Sequence, residues 1–361
     1  MNINFHYFAI KVLAIKAGFK EDDAQKIAFY SQAVDDYDIY TPILVENIPS
    51  YAQYLSKKVS DKWLFSPVTT GFSNWFDYAR LVLESNQRSI TIPFHFIPTQ
   101  KLTIPVSSRT EYRVRPGKMS TPSLIRDMLV EARDMYIKSS VPTNLIRIGI
   151  LLHTFADTYA HQNFSGFWGW ENNAKLTFAV DSSDLQDTYE PPKNIKIPPV
   201  GHANLNQIPD IPNLTYSWEQ KCSGKDSYSI SYTRNNIEEF CSVSLEILNY
   251  LLSCNKQLPI SENAWKELID DVKKGFCITE KEVSKLANHW HIHFPNIKFY
   301  YEKDDLFKTN DDFFQFNVYA DEIRREVNDV IDKEINFNNY IMQVSDDDAQ
   351  LNRLATFQTN N

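Results

Sequence analysis

Ile148-Gly149-Ile150-Leu151-Leu152-His153-Thr154-Phe155-Ala156-Asp157-Thr158-Tyr159-Ala160-His161-Gln162-Asn163 is the stretch whose reading decides the fold. Its apolar residues recur at helical spacing, and His153, Asp157 and His161 follow one another at i, i+4 steps. At about 100° per residue these three drift only roughly 80° around a helix axis, so they share one face. Leu151, Leu152, Phe155 and Tyr159 give the same helix its apolar bulk. A carboxylate between two imidazoles is costly to bury unless positive charge meets it. A divalent metal is the simplest source of that charge, because neutral imidazole and carboxylate are ordinary zinc ligands. The plainer reading is a polar seam in a helix bundle, with Asp157 hydrogen-bonded between two histidines.

Working outward, 361 residues suffice for one large helical domain or two smaller ones. Only nine glycines favour helices and aromatic-packed loops over tight hairpins. A net charge of −9 argues against sequence-independent nucleic-acid binding through a basic surface, though not against a nuclease that grips phosphate through metal ions. No sequence-specific nucleic-acid partner is expected. No run of about 18 apolar residues offers a membrane span. The start, Met1-Asn2-Ile3-Asn4-Phe5-His6, lacks the basic and apolar regions of a signal peptide. The expectation is a cytoplasmic protein, or one exported without an N-terminal signal. Cys222, Cys241, Cys254 and Cys277 show no CxxC pairing and read as reduced thiols. Nothing in the sequence indicates oligomeric state.

Helical periodicity predicts helices over 5–17, 21–33, 75–84, 121–138, 143–161, 236–252, 262–274, 279–289 and 319–335, with Thr143 able to cap the central one. The second helix runs into the acids Asp35, Asp36 and Asp38, which oppose its dipole and so need a reason to be there. Residues 89–98 read as a short extended piece that holds His95 between Phe94 and Phe96 and two prolines. A lone histidine among apolar neighbours is more often a satisfied core residue than a ligand. Residues 101–117 look loop-like, and Arg109, Arg113 and Arg115 form a patch that reads as solvated charge. After the central helix, Phe164, Trp168 and Trp170 make an aromatic loop. Residues 181–216 read as a long, proline-rich loop insertion carrying His202 and Asp210. His289-Trp290-His291-Ile292-His293 would place three imidazoles on one side if extended, yet reads better as an aromatic surface or subunit contact.

Five of the eight histidines fall in short motifs that also supply or border acids. His6, the run Ser31 to Asp36, His95, the His153/Asp157/His161 helix and His202 resemble the ordered ligand set of zinc-dependent phospholipase C and the related single-strand-specific nucleases. More closely, the FHY start, SQAVDD, FHFIP, LHTFADTYAHQNFSG and GHA…PD.P are similar to an uncharacterised bacterial family, domain of unknown function 6765. The likeness covers roughly residues 1–255. It implies a mainly α, multi-helix phospholipase C-like domain with long irregular loops, followed over 256–361 by a C-terminal helical extension packed on it. It also implies up to three zinc ions, or other divalent metals, in one cleft. One would be held by Asp36 or Asp35, His95, His153 and Asp157. Asp157 would bridge to a second, held also by His6, a site the family completes with the amine of a processed N-terminus. A third would take His161 and His202. The family has a glutamate four residues after the last histidine, where this chain has Asn206, and Asp210 is the nearest substitute.

The function implied is metal-dependent hydrolysis of a phosphoester, either a small phosphoester such as a nucleotide or a phospholipid. Whichever of Asp35 and Asp36 does not ligate would take the attacking water's proton or orient the cluster. Phe94, Phe164, Trp168 and Trp170 would line the cleft. The alternative is a non-catalytic, metal-stabilised helical binding protein. A phosphohydrolase of the HD type ranks last, because the adjacent His-Asp pair it needs is absent.

Overall fold

The computed structural model describes residues 1–72, 80–98, 113–139, 143–169, 172–182, 199–222, 228–278, 280 and 282–339. The chain opens with a π-helical turn, Asn4–Ala9, that runs into α1 (Ile10–Lys16). Helix α2 (Glu21–Asp36) carries Glu21, Asp22 and Asp23 in its first turn, where the helix dipole favours acids. A small antiparallel sheet follows, made of β1 (Ile43–Val45), β2 (Ser56–Val59) and β3 (Lys62–Phe65) in the order β1-β3-β2. A second π-helical segment spans Gln87–His95 and precedes α3 (Leu124–Ser139).

Helix α4 (Asn144–Ala160) is the axis of the molecule, with all seventeen residues buried. Gly149 permits the closest approach to it, since a Cβ there would lie 2.6 Å from the Ile27 carbonyl oxygen of α2. This approach brings the end of α2, with its acids, against the His153 face of α4. Thr143 precedes the helix but makes no side-chain cap bond, contrary to expectation.

Beyond α4 the expectation of a mainly helical chain is overturned. The chain is 58% helical, but two three-stranded antiparallel sheets make the fold mixed α/β. The second sheet, ordered β4-β5-β6, consists of β4 (Ala174–Asp181), β5 (Leu214–Cys222) and β6 (Tyr228–Asn235). Trp218 pairs with Leu176 on one side and Tyr232 on the other, and Tyr216 and Trp218 are fully buried in a second, smaller core with Phe164 and Phe96. The alternation of β5, with Tyr216, Trp218 and Gln220 inward and Glu219 outward, is the period of a half-buried strand. The expected loop over 181–216 is therefore bounded by strands, and 183–198 lie outside the described residues. Outside them too are residues 75–79 of the expected 75–84 helix, Arg109 of the basic patch, and Trp170.

The C-terminal part comprises α5 (Asn236–Cys254), α6 (Glu262–Phe276), α7 (Val283–His293) and α8 (Asp311–Asn339). Its apolar residues continue the main core from Phe5 through to Ile331. Asn317 of α8 accepts from the Val68 amide (2.7 Å) and donates to the Tyr37 hydroxyl (2.8 Å). Tyr7 both donates to the Tyr300 carbonyl (2.6 Å) and accepts from its amide (2.8 Å), which lays residues 298–303 along the N-terminal helix. Segment 289–293 is helical, not extended, so His291 is set apart from His289 and His293, whose ring centres lie 5.1 Å apart. Trp290 is fully buried, donates to Asn4 (3.0 Å) and stacks on Phe8, so the segment is a core anchor and not an aromatic surface. Among the described residues no helix is long and apolar enough to cross a membrane.

Candidate metal centre

Four histidines reach one region from three parts of the fold, His153 and His161 from α4, His95 from the second π-helical segment and His202 from the turn before Ala203, and each is anchored in the same way. His153 Nδ1 lies 2.8 Å from the Ser31 carbonyl oxygen at the end of α2. His95 Nε2 lies 2.8 Å from the Thr70 carbonyl, and His161 Nδ1 lies 2.6 Å from the His95 carbonyl. His202 Nδ1 lies 2.8 Å from the Asn206 carbonyl. A carbonyl can only accept, so each of these nitrogens carries the proton and the other nitrogen of a neutral ring is left with its lone pair. The assignment follows from the hydrogen-bond network.

The other ring nitrogens, and that of His6, converge on carboxylates. His153 Nε2 is 3.2 Å and His95 Nδ1 is 3.1 Å from Asp157 Oδ2, while His6 Nε2 is 3.1 Å from Asp157 Oδ1. His161 Nε2 is 3.1 Å from Asp210 Oδ1, and His202 Nε2 is 3.4 Å from Asp210 Oδ2. Asp35 Oδ1 lies 3.7 Å from His153 and 3.9 Å from His95. The α-ammonium of Met1 sits between Asp157, to which it donates, and Asp210, 3.2 Å away.

The local fold explains these placements. The π-helical turn around Pro93, which has no amide proton to give, carries His95 inward where an extended piece was expected. Such turns concentrate at functional sites. His161 is the residue that ends α4, its amide bonded to the Asp157 carbonyl (2.8 Å). Gly201 has φ +55° and a Cβ there would meet the Phe96 ring at 2.2 Å, so only glycine lets the His202 turn close over the Phe96 ring, which itself stacks on His161.

Burial governs the charges. It pushes His6 well below its ordinary value and His153 and His202 down to about 4, so all three rings are neutral near pH 7. For His95 burial is outweighed by Asp157 and Asp35, and the ring is shifted upward. Burial also pushes Asp35 up to about 7, with His95 pulling the other way. For Asp157 burial acts upward, but His161, the Met1 ammonium and His153 together hold the carboxyl well below its usual range. Asp210 is lowered likewise by the Met1 ammonium and His202 against the effect of burial. The Met1 ammonium rises to about 10 because its three acidic neighbours overcome burial.

Among the described residues, three groups of donors have ligand atoms within 4.8 Å of one another: His6, His153 and Asp157; Asp35, His95 and His153; and His161, His202 and Asp210. Every residue singled out from the sequence as a ligand is thus present except Asp36. Its Oδ2 accepts from Gln32 (3.1 Å) and from Tyr301, while Oδ1 has Lys303 at 4.0 Å. Asp36 instead lines both of two cavities that meet at Met1, Asp35 and Asp210: a pocket of about 240 Å³ and a cleft of about 1180 Å³. The expected aromatic lining is different. Phe94 is in the main core and Phe164 in the second, whereas Phe72, Leu81 and Phe96 face the smaller pocket. The anchoring carbonyls gave no signal in the sequence, and an N-terminal amine at this site was implied by the resemblance alone. Asn206, where the resemblance implied a glutamate, takes part through its backbone carbonyl.

A family model described as a family of unknown function, DUF6765, matches residues 1–357, so the chain belongs to that family, and the match extends past the 1–255 expected from the motifs. No curated protein matches the chain. No solved structure matches it either.

Proposed function

We propose that this member of the DUF6765 family is a metal-dependent hydrolase, with zinc the best-suited ion, acting on a small phosphoester or phospholipid headgroup. The observation that carries the proposal is the anchoring of four imidazoles on backbone carbonyls with their lone pairs turned to carboxylates. Where burial keeps the ring neutral, as at His153 and His202, a lone pair facing a carboxylate oxygen at about 3 Å is repulsive unless a cation lies between. With one, it is the usual arrangement of a ligating histidine whose far N–H is held by the backbone. The spacing also fits. Ligand bonds of about 2 Å at tetrahedral angles put neighbouring donor atoms about 3.3 Å apart, close to the separations of 3.1–3.4 Å between ring nitrogens and Asp157 or Asp210.

His153 has one free nitrogen and so can serve only one of the two donor groups it belongs to. With His153 on the Asp35 and His95 side, Asp157 would be shared between that ion and a second, which His6 and the Met1 amine would also hold once that amine gives up its proton. His161, His202 and Asp210 would hold a third. Bound ions would lower the pKa of a water and neutralise phosphate oxygens. The chain itself would do the rest. Asp36, held on one oxygen by Tyr301 and Gln32, has the other available to take the water's proton. Phe72, Leu81 and Phe96 would exclude water from the apolar side.

Among the residues lining the large cleft, the acids Asp35, Asp36, Asp181, Asp210, Glu280 and Glu302 outnumber the cations, Lys303 and the Met1 ammonium. That balance disfavours a polyanion such as a nucleic-acid strand and favours a substrate with a single phosphate group. Full burial of His6, His153 and Asp157 supports a second reading, in which closed metal sites only stabilise the fold. A phosphodiesterase assay with added zinc separates the two, comparing the natural protein with His153→Ala and Asp157→Asn. Hydrolysis lost in both variants supports catalysis. Equal activity in all three removes it, and zinc bound without hydrolysis favours the stabilising role.

A further inference from the structure

Arg234, at the end of β6, is 6% exposed and belongs to none of the donor groups. Its Nη1 donates to the carbonyls of Tyr159 (3.2 Å) and Ala160, the last turn of α4. Its Nη2 donates to the Pro209 carbonyl (3.1 Å), and its Nε to Asn236 Oδ1 (2.9 Å). Asn236 in turn donates to the carbonyls of Ile208 (2.9 Å) and Ile211 (2.7 Å). The guanidinium carbon lies 5.0 Å from the centre of the Tyr216 ring, which fixes its plane. One planar cation thus ties the C-terminal end of the helix bearing Asp157 and His161 to the turn bearing Asp210.

The arrangement has a clear physical purpose. Helix C-termini leave carbonyls unpaired and carry partial negative charge, so a buried cation there is stabilised. A guanidinium can serve two elements at once because its donors diverge in a rigid fork, which an ammonium cannot copy. The turn over 208–211 is otherwise a single short 3₁₀ segment, Ile208–Asp210. Asp210 accepts from or faces His161, His202 and the Met1 ammonium, but these contacts do not fix the turn's backbone.

We propose that Arg234 is a positioning residue for the third donor group, setting the Asp210 carboxylate against His161 and His202. The inference rests on the metal-binding reading above and deepens it. Zinc titration of the natural protein, Arg234→Gln, Arg234→Lys and Asp210→Asn, with thermal unfolding of each in the metal-free state, tests it. The expected result is one ion bound about 10–100-fold more weakly in Arg234→Gln, with the remaining ions unchanged. Asp210→Asn should lose the same ion, and Arg234→Lys should fall between, because it keeps charge at the helix end but not the bond to Pro209. A purely structural role would lower the metal-free melting temperature and leave every zinc affinity as it was, which overturns the inference. If Arg234→Gln does not fold, natural affinity for all ions in Arg234→Lys overturns it instead. A natural protein that takes up no zinc removes the metal reading and this inference together. Zinc bound normally with no dependence on Arg234 removes the inference alone.

Discussion

Two histidine groups in this chain look alike by residue type and have opposite surroundings. The first, His6, His95, His153, His161 and His202, is scattered over some two hundred positions yet converges in the fold. The second, His289, His291 and His293, occupies five consecutive positions on α7 and does not. In the first, four rings are held by backbone carbonyls and turned toward Asp35, Asp157 and Asp210. In the second, His289 is bonded to the Lys274 carbonyl and His291 to the Ile297 carbonyl, but the tract contributes to none of the donor groups found among the described residues. Density along the sequence is therefore a poor guide to metal-capable geometry. A fixed tautomer opposite an acid is the better one.

The comparison breaks most readily at Asp157. Asp157→Ala should abolish zinc binding at two of the three groups and leave the buried Met1 ammonium short of a partner. Loss of one member of such a buried pair costs about 3–5 kcal/mol, to be read by urea unfolding. An unchanged midpoint would mean the cluster is not held by charge. Next in size is Gly149→Ala, which forces α2 away from α4 and the Ser31 carbonyl away from His153. Overpacking of this kind costs about 1–3 kcal/mol, and zinc affinity should fall with stability. A folded variant with natural affinity would show that the carbonyl anchor is dispensable.

The acids sharpen the comparison further. Burial raises Asp35 to about 7, so below that pH the metal-free carboxyl holds a proton that an ion must displace. Zinc affinity should therefore drop as pH falls below 7, by about tenfold per unit for each proton released. Titrations at pH 6 and 8 check this, and Asp35→Asn should weaken binding and flatten the dependence. The smallest effect belongs to the tract. His291→Ala and His293→Ala should change stability by no more than about 0.5 kcal/mol, as exposed substitutions usually do, and leave zinc content as it was.

What could be read from the chain alone follows the range of the interactions. The His153/Asp157/His161 face was legible because i, i+4 spacing on an apolar helix is local information. The acids of α2 were legible as an anomaly, since they oppose a dipole, although only the packed fold distinguishes Asp35, which faces the histidines, from Asp36, which Tyr301 and Gln32 hold aside. The second sheet was missed for want of an early signal. Prolines dominate the run up to Pro212, and the period-2 pattern of Tyr216, Trp218 and Gln220 lies at the edge of the segment read as loop. His95 was placed in an extended piece because Pro93 disfavours a regular helix, and the wide turn that accommodates it depends on contacts from Thr70 and Gly166. Arg234 gave no signal, because apart from Asn236, two residues on, every group it bonds is a backbone carbonyl brought to it by tertiary folding.

Counting the ions on the intact protein tests the central claim most directly. Native mass spectrometry of the zinc-loaded chain beside a variant lacking His289, His291 and His293 should give up to three ions in both, and the same number in each. No bound ion in the natural protein, or ions that vanish with the tract, would contradict the account.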